Sequence, residues 1–216
     1  MHWGRSGRVG RCTALLLLAV TAGSAGAEPV SVPLGTNAIQ ALAVQIVASD
    51  DTHGRPFLIV DKVAAQVVAF DADGTVRGST PALLGAARGD VPPVDIGSRA
   101  LAQIGPADRI TQAGRFDARV GRDLHEDVLW IDYATGLSLH RVVTTSRIEH
   151  RLTRLATPTP DDNRVSFGCI NVPRIFYETV VAPLFRPVDG VVYILPEQQT
   201  PDETFPTLRA RPVPRG

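Results

Sequence analysis

The chain has 216 residues, of which 44% are hydrophobic and 20% are charged, with 22 basic and 22 acidic side chains. This length and composition exclude a disordered chain and suffice for one domain with a sizeable core and terminal extensions. The lack of excess basic charge argues against nucleic acid as a partner.

The N-terminal residues 1–27 have the three parts of a secretory signal peptide. Three arginines precede an apolar run at residues 14–20, and small side chains occupy residues 25–27. Because this run is too short to span a bilayer, we predict cleavage before Glu28 and no stable membrane anchor after it. The mature protein is therefore expected in the periplasm or cell envelope. Cleavage removes three basic residues and no acidic ones, which gives a net charge of −3.

The sequence after the cleavage site divides into three parts. Residues 28–55 are predicted to form a helical N-terminal segment, because apolar side chains recur at helical spacing between residues 36 and 49. Residues 56–197 alternate strand-like runs with turn residues, which indicates a mainly β domain with a minor α content. Residues 198–216 are rich in proline and charge, and are predicted to form a loosely attached C-terminal tail.

Apolar runs and turn residues place several elements of the β domain. Residues 66–71 and 75–78 are predicted to form a hairpin in which Gly74 supplies a positive φ. A strand is predicted at residues 136–143, and its alternation puts His140 on the same face as Ser138. Further predicted elements are strands at residues 57–61, 128–133 and 191–195 and helices at residues 147–155 and 173–182, the last limited by Pro183.

Cys169 is the one cysteine left after signal cleavage, and it lies in the stretch SFGCINVP at residues 166–173. An unpaired thiol in an oxidising compartment indicates an intermolecular disulfide or a functional group. Gly168 before it and Pro173 after it predict a side chain presented on a tight turn ahead of a helix. This context favours a nucleophile over a buried small hydrophobe. Gly168 and the following amides are candidate oxyanion donors, while Ser166 either assists by hydrogen bonding or stabilises the turn.

A nucleophilic thiol needs a base or a positive neighbour, and histidine is the usual one. His53 and His125 lie in predicted turns, and His150 lies in a charged segment typical of a solvated helix face. His140 lies in an apolar strand, where an imidazole needs a specific reason to be present. We therefore predict His140 as the base, with His150 as the alternative. The single cysteine and scattered histidines give no metal-ligand spacing, so neither a metal nor another cofactor is expected.

The stretch SFGCIN at residues 166–171 resembles the Ser/Thr-His-Gly-Cys-apolar-Arg/Asn signature of the L,D-transpeptidase (YkuD-type) catalytic domain. Residues 57–70 are similar to the opening strand pair of that family. Residues 113–116 resemble its Thr-Pro-x-Gly-x-Phe segment, with Gln112 in the proline position. The resemblance covers residues 56–197 and implies a mixed β-sandwich with short helices. It also implies peptidoglycan stem peptides as the partner.

The resemblance implies a mechanism in which Cys169 attacks the L-centred carbonyl of a diaminopimelate residue in a tetrapeptide stem. The terminal D-alanine leaves, and the acyl group is held as a thioester until an amine of a second stem resolves it. His140 would be the general base. The loop that shapes the oxyanion and substrate site would consist of Ser166, Phe167, Gly168, Ile170 and Asn171.

Three features depart from the family pattern. Phe167 occupies a position where histidine is common, and Arg141 follows His140 where glycine or serine is usual. The spacing between His140 and Cys169 is longer than usual because of an insertion that includes residues 157–163. Since Arg141 offers no obvious orienting side chain, we expect a backbone carbonyl to orient the imidazole. These departures bear on substrate and rate more than on the fold.

The first hypothesis is thus an exported L,D-transpeptidase that forms cross-links or exchanges the terminal D-alanine. The same thioester resolved by water would make an L,D-carboxypeptidase, and a D-amino acid or a protein amine is a further possible acceptor. A peptidoglycan-binding envelope module without catalysis is the alternative from a different class. The sequence does not separate the acceptors, because acceptor choice depends on pocket shape, and it gives no oligomeric state.

Overall fold

The computed structural model describes residues 37–123 and 126–208. The predicted signal peptide, His125 and residues 209–216 lie outside this part of the chain. Within the described ranges, no helix is both long enough and apolar enough to cross a membrane.

Short strands and short helices make up the described fold. The strands are β1 Phe57–Asp61, β2 Gln66–Phe70, β3 Val76–Pro81, β4 Leu84–Gly85, β5 Gly114–Asp123, β6 Glu126–Asp132, β7 Leu137–Arg141, β8 Arg164–Ser166, β9 Ile170–Val172 and β10 Gly190–Ile194. The α-helices are α1 Asn37–Ser49, α2 Arg151–Ala156, α3 Arg174–Phe176, α4 Ala182–Phe185 and α5 Pro201–Thr204. One sheet has the order β3-β2-β1-β10-β5-β6-β7-β9, and β4 pairs with β8. The fold is mainly β with short helices, as the sequence predicts.

Apolar side chains cover both faces of the central strands. In β1, Leu58 and Val60 pack into one hydrophobic cluster, whereas Phe57 and Ile59 pack into a second cluster on the opposite face. The second cluster includes the buried side of α1, which confirms the helix predicted at residues 36–49. Burial on both faces explains why the sequences of β1 and β10 are continuous apolar runs.

The helix predicted to be limited by Pro183 continues to Phe185, so that prediction was wrong. Helix α3, a π-helical turn at Tyr177–Val181 and α4 follow one another without a break. Proline has no N–H to donate to the preceding turn, and the wider π turn just before it accommodates the missing hydrogen bond. The apolar pattern of the sequence does not reveal a π turn.

The C-terminal segment is attached to the domain up to Leu208. The Thr200 side chain caps α5 by accepting a hydrogen bond from the Glu203 backbone. Phe205 and Leu208 are 3% and 4% exposed and pack into the second hydrophobic cluster. The expectation of a loosely attached tail was wrong for these residues, because two buried apolar side chains outweigh the proline and charge content around them.

Lys62, the single lysine of the chain, is fully buried just after β1. Its ammonium donates hydrogen bonds to the Asp90 carboxylate at 2.6 Å and to the carbonyl oxygens of Gly89 at 2.5 Å and Thr111 at 3.0 Å. Asp90 also accepts from the backbone N–H groups of residues 197–199. One buried ion pair therefore joins β1, the loop before β5 and the segment after β10.

The Asp90 carboxylate is strongly stabilised in its charged form. Burial acts to raise its pKa, but the hydrogen bonds from Lys62 and from three backbone N–H groups lower the pKa from 3.8 to about 2. A carboxyl group whose pKa is lower in the folded state stabilises the protein at pH values above its pKa in the unfolded chain. That contribution is lost as the pH falls from 3.8 towards 2.

We predict that Lys62→Met destabilises the protein by about 3–5 kcal/mol at neutral pH, because it leaves the buried Asp90 without its counter-charge. The free energy of unfolding would be measured by urea denaturation. Arg77→Gln, which removes an exposed ion pair with Asp71, is the matched control and should cost less than about 1 kcal/mol. Equal effects of the two substitutions would contradict this account of the network.

Candidate active site

The parallel pairing of β7 with β9 brings the histidine strand and the cysteine together. His140 lies opposite Asn171 in the register of these two strands. Two residues earlier, Ser138 of β7 contacts Cys169, which directly precedes β9, with 3.6 Å between the hydroxyl oxygen and the sulfur. Side chains two positions apart on a strand point to the same face. One face of the sheet therefore carries a cluster of four side chains, those of Ser138, His140, Cys169 and Asn171. The sequence prediction that His140 and Ser138 share a face agrees with this arrangement.

The cysteine loop, residues 166–173, is held by its own hydrogen bonds. The Ser166 hydroxyl donates to the Cys169 carbonyl oxygen at 2.6 Å and accepts from the Gly168 N–H at 3.1 Å. Gly168 has a φ of +134°, and a Cβ there would lie 2.9 Å from the Ile110 carbonyl oxygen. Glycine is therefore required at position 168. Of the two roles left open for Ser166, the observed hydrogen bonds are those of a turn stabiliser.

Thr111 connects the cysteine loop to the buried lysine. Its hydroxyl donates to the Gly168 carbonyl oxygen at 2.8 Å and accepts from the Gly85 N–H at 2.8 Å. Its backbone carbonyl accepts from Lys62. Displacing Lys62 would therefore displace the loop that carries Cys169.

The Cys169 thiol is half-buried and in contact with several polar groups. It donates to the Gly136 carbonyl oxygen at 3.5 Å and accepts from the Ser138 hydroxyl at 3.6 Å. Burial acts to raise the thiol pKa, but the hydrogen bond and charge of His140, aided by Ser138, lower it. Burial likewise acts to lower the pKa of His140, and the interaction with Cys169 raises it. These opposite shifts favour a thiolate–imidazolium pair.

Two fixed groups decide which nitrogen of His140 carries the proton in the neutral ring. The Arg141 carbonyl oxygen lies 2.7 Å from Nδ1 and can only accept, so Nδ1 carries the proton. Arg151 can only donate, and it bonds the side-chain oxygen of Asn171 at 2.6 Å. The amide nitrogen of Asn171 therefore faces Nε2, at 3.4 Å. Nε2 offers a lone pair, and the orienting group is a backbone carbonyl, as expected.

The side chain of Arg141 turns away from the site. Alternation along β7 puts it on the face opposite His140, where it is 8% exposed and pairs with Asp127 at 3.1 Å and Glu178 at 3.2 Å. Its guanidinium also lies 4.1 Å from the ring centroid of Tyr177. Arg141 stands where the family usually has glycine or serine, but its side chain points away from the site. Its backbone carbonyl still orients the His140 ring.

Several predicted residues do not contact the thiol. Ile170 is fully buried in the first hydrophobic cluster, so it anchors the loop and does not face a substrate. The Gly168 N–H is taken by a hydrogen bond inside the loop, so it is not a free oxyanion donor. His53 and His150 are exposed. Among the described residues, neither histidine forms a hydrogen bond with Cys169.

An open-sided pocket of about 290 Å³, a volume that includes solvent at its mouth, borders Cys169. Its wall includes the side chains of Ile110, Gln112 and Phe167. The Phe167 ring, at the position where the signature has histidine, lies under the guanidinium of Arg109, with 3.9 Å from Cζ to the ring centroid. The pocket opens to solvent beside Cys169, so the thiol can be approached from this side.

Sequence reasoning missed three residues that shape the site. Ser138 contacts the thiol, and strand alternation had already placed it on the face of His140. Arg151 lies in a segment interpreted as a solvated helix face, yet its side chain is 11% exposed and fixes Asn171. Thr111 holds Gly168 from 57 residues away in the sequence, and no local pattern signals that contact.

No protein-family model matches the chain, and no curated protein matches it. Among solved structures, the catalytic domain of an L,D-transpeptidase from E. faecium is similar over 66% of this chain and 98% of that one, with 16% identity and a TM-score of 0.41. The helical cell shape determining protein Pgp2 from Campylobacter jejuni is similar over 68% of this chain, with 11% identity and a TM-score of 0.44.

An L,D-transpeptidase from Mycobacterium smegmatis is similar over 65% of this chain, with 15% identity and a TM-score of 0.38. The chain spans 48% of the Pgp2 structure and 58% of the Mycobacterium smegmatis structure.

We predict that alkylation of Cys169 by iodoacetamide persists well below the ordinary thiol pKa of about 8.5, because His140 lowers the thiol pKa. His140→Ala should shift the pH profile of the alkylation rate upward, since burial then acts unopposed by the imidazole. His150→Ala is the matched control and should leave the profile in place. If His140→Ala has no effect and His150→Ala has one, His150 is the base.

Proposed function

We propose that this chain is an exported cysteine L,D-transpeptidase that acts on the tetrapeptide stems of peptidoglycan. The observation that carries the proposal is that the pairing of β7 with β9 brings the segment of His140 next to the half-buried Cys169, whose thiol pKa the imidazole lowers. The cysteine of this pair lies in the stretch at residues 166–171 that resembles the signature of that family. A lowered thiol pKa and a histidine base are what acyl transfer to sulfur requires.

The first half of the reaction forms the acyl-enzyme. The Cys169 thiolate attacks the L-centred carbonyl carbon of diaminopimelate, and the carbonyl electrons move to oxygen to give a tetrahedral intermediate. When the carbonyl re-forms, the bond to the D-alanine nitrogen breaks. The His140 imidazolium gives its Nε2 proton to that nitrogen, so that D-alanine leaves as a neutral amine and a thioester remains.

The second half transfers the acyl group to an amine of another stem. His140, now neutral, accepts a proton from the amine as its nitrogen attacks the thioester carbonyl. The carbon–sulfur bond then breaks, the new amide forms, and the thiolate is regenerated beside the imidazolium. Attack by water or a D-amino acid in the same step would give carboxypeptidase or exchange activity.

A binding module without catalysis is less well supported. Phe167 and Arg141 motivated that alternative, but Phe167 lies in the pocket wall and Arg141 contributes only its carbonyl to the site. A fixed tautomer and a lowered thiol pKa have no use in a protein that only binds. The geometry therefore favours an enzyme.

We predict that the mature chain, residues 28–216, forms a covalent adduct with a carbapenem, which mimics the acyl donor. Intact-mass spectrometry should show one adduct per chain. Cys169→Ala should abolish it, because no other cysteine is present in the mature chain. His140→Ala should slow its formation by about 100-fold or more, as expected for loss of a general base.

The matched control is His150→Ala, which should be acylated by the carbapenem at the wild-type rate.

Incubation of the wild-type protein with a purified tetrapeptide stem should release D-alanine and yield a cross-linked dimer. Release of D-alanine with only the tripeptide as the second product would identify a carboxypeptidase. A folded wild-type protein that forms no adduct and releases no D-alanine would refute the proposal.

A further inference from the structure

Arg109 is a cation without an acidic partner. Its Nε–H donates to the Ile104 carbonyl oxygen at 3.3 Å, and its guanidinium lies over the Phe167 ring. The neighbouring carboxylate, Asp108, is engaged by Arg99 at 2.8 Å. No carboxylate in the described part of the chain forms an ion pair with Arg109. An aromatic face can hold a guanidinium in place while its terminal N–H groups stay free for a ligand.

The position of this cation relates it to the thiol. Phe167, on which Arg109 lies, and Ile110, which follows it in the chain, both line the pocket that contains Cys169. A planar guanidinium with free N–H groups is the side chain best suited to bind a carboxylate through two hydrogen bonds. An anion-binding group therefore lies on a ring of the pocket wall, and that ring is two residues from the nucleophile in the chain.

A second polar group in the same pocket wall also lacks a partner. The side-chain oxygen of Gln112 is buried and forms no hydrogen bond within the described residues. Buried polar atoms normally have partners, so Gln112, a residue of the pocket lining, has an acceptor that an N–H group could satisfy. A carboxylate together with an amide N–H is the chemistry of a C-terminal amino acid residue in a peptide.

We propose that Arg109, supported by Phe167, binds the terminal carboxylate of the donor stem, so that the enzyme selects stems whose last residue is a free acid. The inference rests on the proposed function, because it assigns the carboxylate to the leaving D-alanine. That carboxylate is separated from the scissile nitrogen by one carbon atom, which puts it close to the thiol during attack. Phe167 then serves as the platform that orients the arginine.

The first test needs no peptidoglycan substrate. Iodoacetate and iodoacetamide both alkylate thiolates, and they differ in that iodoacetate carries a carboxylate. Arg109→Gln should lower the ratio of the iodoacetate rate to the iodoacetamide rate by about 5-fold, since an adjacent cation attracts the anionic reagent. The iodoacetamide rate itself should stay near the wild-type value, which verifies that the cysteine loop is intact.

Two further variants make this test specific. Arg119→Gln removes an arginine that is 64% exposed and paired with Asp189, and it should leave the ratio unchanged. Phe167→Leu, which removes the platform and keeps the charge, should lower the ratio. An unchanged ratio in Arg109→Gln, or an equal drop in Arg119→Gln, would overturn the proposal.

The second test uses tetrapeptide stems with a free C-terminal carboxylate or a C-terminal amide. For the acid, Arg109→Gln should raise KM about 10-fold with kcat within about 2-fold, and for the amide it should change neither. Equal effects on both stems would overturn the inference. If neither stem reacts but Arg109→Gln lowers the alkylation ratio as expected, the transpeptidase function is refuted and the anion-binding role of Arg109 is supported. If both stems react and the ratio is unchanged in Arg109→Gln, the anion-binding role is refuted and the transpeptidase function is supported.

Discussion

The candidate site depends on the register between the parallel strands β7 and β9. This register puts His140 beside Asn171 and Ser138 beside Cys169 on one face, and a slip of one residue would turn one pair of side chains to the opposite face. Parallel neighbours also require a long crossover connection. Residues 142–169 supply it, so the long spacing between histidine and cysteine is compatible with their contact.

The buried lysine network also supports the position of the cysteine loop. Lys62 binds the carbonyl of Thr111, and the Thr111 hydroxyl binds the carbonyl of Gly168, directly before the cysteine. The ion pair with Asp90 fixes the lysine and also fastens the backbone after β10. The position of the thiol is therefore set both by strand pairing and by a fully buried charge.

Much of the fold could be predicted from the sequence, because it follows from local signals. The sequence also singled out His140 and Cys169 as candidates, but it is the pairing of β7 with β9 that brings their segments together. Helical spacing placed α1, turn residues placed the β2–β3 hairpin, and the glycine before Cys169 indicated a tight turn. The contacts that refine the site could not be predicted in this way. Arg151 and Thr111 act through tertiary contacts with Asn171 and Gly168, and a charged residue or a threonine in sequence gives no sign of such partners.

The central claim is that the Arg141 carbonyl holds a proton on Nδ1 of His140, so that Nε2 is the nitrogen that exchanges a proton with Cys169. Nitrogen NMR of the histidine side chains tests it most directly. The account predicts that neutral His140 carries its proton on Nδ1. It also predicts that the pKa of His140 lies above its ordinary value of 6.5 and falls in Cys169→Ala, since the interaction with the thiol raises it. A neutral His140 whose single proton lies on Nε2, or the same His140 pKa with and without Cys169, would contradict the account.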